Sequence, residues 1–251
     1  MSLTAHCLIK NEDQFIGYAI RSVIGFVDNI LVFDTGSTDR TVSIIKELQE
    51  QYPNKIMLEE KGACDKMRHT QLRQEMIERT TTDWFMILDG DEVWTERALG
   101  EATGMIRSSQ YDGIVTRFYE CVGDVYHTHR KDGYETVRFV KMGDVQWGGP
   151  YNRDTLYTKK KENFLDTKTI YHLRQRFWHT THLERSSEVT SVYSSGTVRE
   201  VKKRLTYFLI GKKIQESVPE VFVQSDHLRV SFFSSLKFFC LLCIEKICRL
   251  V

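Results

Sequence analysis

Along the first half of the chain, apolar positions switch repeatedly between strand-like runs and helical spacing. Leu3 to Ile9 predicts a strand, and Phe15, Ile16, Ala19, Ile20 and Val23 share one face of a helix over Asp13 to Val23. Ile30 to Phe33 is continuously apolar, which predicts a strand buried on both faces. The GSTDRT turn follows, where Ser37 or Thr38 can cap a helix carrying Val42, Ile45 and Leu48. Lys55 to Leu58 predicts a short strand, Lys66 to Arg79 a helix, and Trp84 to Leu88 a further strand. Strands separated by helices imply right-handed crossovers, and hence a mostly parallel sheet covered on both sides: a three-layer α/β sandwich.

Beyond Gly113 the pattern changes to β segments, Gly113 to Val122, Tyr126 to His129 and Thr136 to Lys141, joined by turns such as Lys131-Asp132-Gly133. The expected organisation is a catalytic domain over 1–190, with one half over 1–112 and a pocket-shaping half over 113–190. A helical C-terminal extension over 191–251 completes it. Within the extension Val198, Val201, Leu205, Phe208 and Leu209 share a helical face, and Arg199 to Lys213 holds six Lys/Arg against one Glu. The final FFSSLKFFCLLCIEKICRLV is apolar but broken by Lys237, Glu245, Lys246 and Arg249, which argues against a membrane span. Two placements stay open for it: an interfacial helix at an anionic inner leaflet, or a helix packed on the catalytic domain or on a second subunit of a homodimer.

Composition narrows the class. Of the 251 residues, 41% are hydrophobic and 27% charged, as in soluble globular proteins. The net charge of +1 gives no signal for nucleic acid. The first residues, MSLTAHCLIKNE, lack the basic and apolar regions of a signal peptide, so six scattered cysteines read as reduced thiols in a cytoplasmic protein. Cys240 and Cys243 form a CxxC with no second pair or His cluster, and buried or membrane-facing thiols are the better reading there than zinc.

The chemistry concentrates in DWFMILDGDEVW, where an apolar strand runs directly into Asp89, Asp91 and Glu92. Adjacent carboxylates repel and resist desolvation, so something must compensate them. In an open α/β sheet ligands bind beyond the carboxyl ends of the strands, and Asp34 ends the second strand as Asp89 ends the fourth. Strand alternation sends Asp89 and Asp91 to one side. A hard divalent cation taking carboxylate and phosphate oxygens would relieve the repulsion. Helix capping by Asp91 or Glu92 is the competing explanation, and local spacing does not decide between them.

From Leu3 to Ser187 the chain resembles the family-two nucleotide-sugar glycosyltransferases of GT-A fold. IKNE (Ile9 to Glu12), FDTGSTDRT (Phe33 to Thr41) and KMRHTQLRQEMIERTTTDWFMILDGDE, an Arg-containing helix leading into a DxD, occur in the usual order. The resemblance implies a nucleoside-diphosphate sugar, of uridine type, bound at the strand ends. A divalent cation, manganese or magnesium, would bridge its phosphates to the DxD. By that resemblance Glu12, Asp34, Arg68 and Asp89 would contact the nucleotide sugar, and Asp91 the metal. Many relatives carry a second Asp where this chain has Thr35. A loop and N-cap role for Asp34 and Asp39, and a solvated helix face for Arg68, stand as structural alternatives.

Relatives of this kind usually invert the anomeric centre, which needs a carboxylate base. The stretch WGGPYNRDTL stands where some of them carry His-Glu-x-Leu after a Trp/Gly turn, which points to Asp154, with Glu120 in reserve. In RFWHTTHLERSS, His182 resembles the late-loop His that closes over metal and diphosphate, and Arg185 would stabilise the leaving diphosphate. His127 and His129 read as surface hairpin residues. The expected activity is sugar transfer from a nucleotide donor to a carbohydrate or lipid-linked acceptor in surface polysaccharide or glycolipid synthesis, at or near the inner face of the membrane. Two rivals are a sugar-phosphate nucleotidyltransferase, which a Gly-rich, Lys/Arg-bearing N-terminal signature would mark, and a non-catalytic sugar-binding protein on a decayed transferase fold.

Overall fold

Strand β1 (Leu3–Ile9) is buried at every residue because it lies at the middle of the sheet. It pairs in parallel with β2 (Asn29–Asp34) on one side and with β4 (Trp84–Ile87) on the other. The computed structural model describes residues 1–122, 124–129, 134–150, 155–183, 186–187 and 212–223. Adding β3 (Ile56–Glu60), β6 (Gly113–Thr116), β9 (Thr136–Lys141) and β12 (Ile170–His172) gives a seven-stranded sheet of order β12-β6-β9-β4-β1-β2-β3. The chain builds outward from β1 to β3 on one side and restarts at β4 on the other, so the β1/β4 junction is the topological switch point where ligands bind in such sheets.

The period-two alternation of the strands divides the sheet's faces. Leu3, Ala5, Cys7 and Ile9 pack with α1 (Ile16–Val23), α2 (Thr41–Gln51) and α4 (Glu96–Arg107) in one core cluster. Leu8, Leu31 and Phe33 meet Leu72 and Met76 of α3 (Lys66–Arg79) on the opposite face, and Phe85 and Val140 meet Ile77 of α3 and Phe164 of the short α5 (Phe164–Thr167). This is the expected three-layer α/β sandwich.

His6 points to the α3 side, stacked on Phe85 at 4.6 Å with its Nε2 2.6 Å from the Thr80 hydroxyl. Burial, helped by the charge of Arg73, holds its pKa down to about 3.

Several elements differ from expectation for local reasons. Helix α1 starts at Ile16, because residues 12–15 form a turn in which Phe15 N–H donates to the Glu12 carbonyl. Helix α2 starts at Thr41; Asp39, not Ser37 or Thr38, accepts the Thr41 N–H at 2.9 Å. Helix α4 has no counterpart in the periodicity reading, since three of the five residues on its buried face, Ala98, Ala102 and Thr103, are small, with Leu99 and Ile106 beside them; Thr95 caps it by accepting the Ala98 N–H at 3.1 Å. Strand β9 runs antiparallel to both β4 and β6, so a strand of the second half is inserted into the sheet beside the first.

A smaller sheet, β5 (Glu92–Val93), β13 (Phe177–His179) and β7 (Phe118–Glu120), stands at the carboxyl end of β4. Hairpin β10 (Gln146–Gly148) and β11 (Thr155–Tyr157) docks on α3, where the Trp147 N–H donates to Gln74 Oε1 at 2.9 Å. Within the expected extension, β14 (Lys212–Lys213) pairs with β8 (His127–Thr128), and α6 (Glu220–Val223) brings Phe222 against Tyr18 of α1. The rest of that extension, with its basic helix face, apolar tail and CxxC, lies outside the described residues. Among the described residues no helix is long and apolar enough to cross a membrane.

Candidate active site

The loops after β1, β2 and β4 interlock to form one rim. Asn11 adopts a left-handed backbone (φ 54°), which asparagine tolerates, and its Oδ1 accepts the Thr38 N–H at 2.9 Å. The Glu12 N–H donates to Thr41 Oγ1 at 2.8 Å, tying the first loop to the start of α2. At Gly90 an added Cβ would sit 2.9 Å from Glu12 Cγ, so the DGD turn has glycine where the first loop presses against it. Glu12, Asp34, Asp39, Asp89, Asp91 and Glu92 thereby gather at the carboxyl ends of parallel strands.

Two guanidinium groups compensate part of this acidity. Asp89 accepts from Arg73 Nη2 at 3.3 Å and from Arg138 Nη2 at 3.2 Å. Burial alone would raise its pKa, but the charges of Arg138 and Arg73 outweigh that and hold it at about 2. Glu92 is fully buried and receives Arg138 Nε at 3.0 Å on both oxygens, as well as Nη2 on one. Burial, with the Asp89 charge, still pushes Glu92 up to about 7, because one guanidinium is shared between two carboxylates.

The second half supplies two carboxylate–imidazole pairs. Parallel pairing of β13 with β7 sets His179 beside Glu120. His179 Nε2 lies 3.4 Å from Asp91 Oδ1, and His182 Nε2 lies 2.7 Å from Glu120 Oε1. Burial would lower the His179 pKa, but the hydrogen bond and charge of Asp91 raise it overall. Glu120 is held below the usual carboxylate range, chiefly by its hydrogen bond to His182.

The residues singled out in the sequence fare differently. Asp89, Asp91 and Glu12 lie together on the rim. Asp34 is buried there with its carboxylate accepting the Gly36 and Ser37 N–H groups, each at 3.0 Å, in a turn that Gly36 permits with φ +88°. Arg68 projects along α3, with its guanidinium 3.5 Å from Gln71 and 3.8 Å from Glu75. His179, the last residue of β13, lies beside Asp91, while His182, beyond the strand's end, has its Nε2 2.7 Å from Glu120 Oε1. Asp154 and Arg185 lie outside the described residues. Arg73 and Arg138 escaped the sequence reading; Glu92 figures there only as part of the acidic cluster or as a helix cap, and the pattern there favours His182 over His179. A charged residue inside the apolar TVRFVK strand was the available signal for Arg138, since such a residue needs a buried partner.

The donor set at Asp91 suits a divalent cation only in part. Among the described residues no group of three or more His, Cys, Asp or Glu side chains is arranged to hold a metal by itself. Asp91 offers carboxylate oxygen, and His179 has Nε2 beside it and a buried Nδ1 with no hydrogen-bond partner among the described residues. Those two side chains fit an ion that completes its shell with water and substrate phosphates.

A mostly parallel sheet with an acidic rim at its switch point, flanked by a second half that adds an antiparallel strand, is the GT-A type of α/β architecture. The family model described as glycosyl transferase family 2 matches residues 8–183, and the chain belongs to that family of glycosyltransferase enzymes. It is 25% identical over 177 residues to the SPbeta prophage-derived glycosyltransferase SunS of Bacillus subtilis (strain 168), covering 68% of this chain and 39% of that protein. The minor teichoic acid biosynthesis protein GgaA of the same organism is 31% identical over 133 residues, or 50% of this chain and 28% of GgaA. The chain thus matches well under half the length of these curated relatives. Among solved structures, S. aureus TarS superposes with a TM-score of 0.51 at 14% identity, covering 83% of this chain and 43% of TarS. TarS 1–349 in complex with UDP-GlcNAc also gives 0.51 at 14% identity, covering 80% of this chain and 64% of that one. At that identity the likeness concerns the fold alone.

Proposed function

We propose that this chain transfers a sugar from a nucleoside-diphosphate sugar to a carbohydrate or lipid-linked acceptor, with inversion and with a divalent cation, in the making of a surface polysaccharide or glycolipid. The observation that carries the reading is the excess of carboxylates on the rim. Arg73 is bound to Asp89 and Arg138 to both Asp89 and Glu92, and the carboxylate of Asp91 lies 3.4 Å from His179 Nε2. An anionic diphosphate can approach such a rim only with a cation between. The structural relative that holds UDP-GlcNAc shares this fold, which makes uridine diphosphate the first nucleotide to test. The relative named for teichoic acid biosynthesis supports a surface-polymer acceptor.

In this mechanism Asp91 and His179 would hold a manganese or magnesium ion, which would supply positive charge to neutralise a diphosphate. Asp89, fixed by two guanidiniums, orients the nucleotide ribose, and Glu12 and Asp34 line the nucleotide end. By the resemblance, Arg68 would contact the nucleotide and Arg185 would stabilise the leaving diphosphate. Asp154 takes the proton from the acceptor hydroxyl as that oxygen attacks the anomeric carbon. Among the described residues before and after Asp154 in sequence, Gly148 pairs with Thr155 and the Arg73 guanidinium lies over Trp147 at 5.0 Å. The C-terminal tail would meet a membrane surface or a second subunit.

The test is calorimetric titration of uridine diphosphate with and without manganese. Asp91→Asn should remove the manganese-dependent part of the affinity while the protein stays folded, because it relieves repulsion among neighbouring carboxylates. Unchanged metal-dependent binding in the folded variant would defeat the assignment.

A further inference from the structure

The segment between β13 and Ser187 is pinned to the donor half at both ends. At its start, Thr180 N–H and Oγ1 donate to the Asp91 carbonyl at 2.9 and 3.0 Å. At its far end the Ser187 N–H donates to Asp13 Oδ1 at 2.8 Å, the Ser187 hydroxyl donates to the other Asp13 oxygen, and the Ser186 hydroxyl donates to Asp39. The two receiving aspartates are themselves joined, since the Asp13 N–H points at Asp39 Oδ2 (3.4 Å) and Asp39 Oδ1 holds the start of α2 through Thr41. Ser186 is 1% exposed although it follows a loop from the far half of the chain. Thr180 is therefore held at the DGD turn and Ser186 and Ser187 at the loops after β1 and β2, and His182 lies between them in sequence.

We propose that Asp13 and Asp39 are positioning residues for the donor: they clasp Ser186 and Ser187 and so hold the His182 segment against the rim where the nucleoside diphosphate binds. This rests on the nucleotide-sugar reading above. Two carboxylates that resemble further ligands for the nucleotide or metal are thereby given to the protein's own backbone and hydroxyls. A chain whose binding-competent form is the clasped one loses apparent affinity in proportion to the fraction unclasped.

The variants are Asp13→Ala, Asp13→Asn and the double change Ser186→Ala with Ser187→Ala, each compared with wild type in three measurements on the full chain. These are thermal stability, hydrogen exchange of the Ser187 amide, and affinity for uridine diphosphate with manganese. Asp13→Ala should speed exchange at Ser187 and weaken uridine diphosphate by about 10- to 100-fold, the range that hydrogen bonds to a charged group span in an equilibrium constant. Asp13→Asn, which keeps an acceptor for the Ser187 amide, should fall between Asp13→Ala and wild type. That graded rescue separates positioning from general loss of structure. If Asp13→Ala does not fold, the double serine variant carries the test from the other partner. Wild-type affinity together with wild-type exchange in a folded variant overturns the proposal. Should wild type itself bind no uridine diphosphate, the nucleotide reading fails, and unchanged exchange at Ser187 in Asp13→Ala then overturns the clasp independently.

Discussion

Arg138→Met removes the cation that Asp89 and Glu92 share while keeping much of the side-chain volume. The arginine is 11% exposed at its side chain and Glu92 is 0%, so the variant leaves a buried carboxylate without its guanidinium. Breaking such a pair by removing one partner costs about 3–5 kcal/mol. The pH dependence identifies the cause. With Glu92 at about 7 in the fold and 4.5 as its ordinary value, the folded chain holds a proton that the unfolded chain releases between those pH values. The Glu92 contribution to stability therefore falls as pH rises through that window, by about 1.4 kcal/mol per unit, and levels off above pH 7 once Glu92 ionises against Arg138. In Arg138→Met the carboxyl loses that partner and stays protonated to higher pH, so the fall continues. The variant's deficit should thus grow by a further ~2 kcal/mol between pH 7 and pH 8.5. In wild type the depressed pKa of Asp89, about 2, makes its contribution constant above about pH 5; in the variant Asp89 loses Arg138 and keeps Arg73 at 3.3 Å, so the same comparison in an Asp89→Asn background isolates Glu92. Urea denaturation at pH 5, 7 and 8.5 measures all three points. A deficit that is the same at each pH would mean that Glu92 is not the group left uncompensated.

His6, held at about 3, contributes stability that is present above pH 6.5 and lost as pH falls toward 3; it opposes Glu92 between pH 4.5 and 6.5. His6→Gln should therefore turn a nearly flat profile in that interval into one falling by about 1.4 kcal/mol per unit, read by the same urea titrations; a profile unchanged from wild type would contradict the assignment. Gly90→Ala places a Cβ 2.9 Å from Glu12 Cγ and should lower stability by about 1–3 kcal/mol and loosen uridine diphosphate binding, whereas the same change at Gly100, with open space around it, should do neither. Asp154→Asn should leave donor affinity intact and slow transfer by about 10² to 10⁴, and transfer near the wild-type rate would hand the base role to Glu120.

Much of the donor half was legible because its strands are continuous apolar runs and α3 begins and ends where its periodicity does. The rim was legible for the same reason: a carboxylate that ends a buried parallel strand has only one place to go. Long-range pairings were not legible. Nothing near Arg138 in sequence says that β9 will insert antiparallel beside β4, and only that insertion brings its guanidinium to Asp89 and Glu92. The choice between His179 and His182 depended on strand register, since β13 pairs its last residue, His179, with Glu120 on one side and Glu92 on the other, which brings its imidazole to 3.4 Å from Asp91. Asp34 was correctly placed on the rim, yet the amides that occupy its carboxylate belong to the turn that the neighbouring glycine allows.

The insertion of β9 has a consequence for exchanging parts between relatives. Under the proposed function the first half serves the donor and the second the acceptor, and recombining them is the obvious route to new products. Yet the cation that makes the first half's buried carboxylates tolerable is delivered by a strand of the second. A chimaera that joins residues 1–112 to a foreign second half inherits Asp89 and Glu92 without a guarantee of Arg138. Successful hybrids should therefore be those whose incoming strand carries a guanidinium in the register opposite β4, whatever the rest of the new pocket is built to accept.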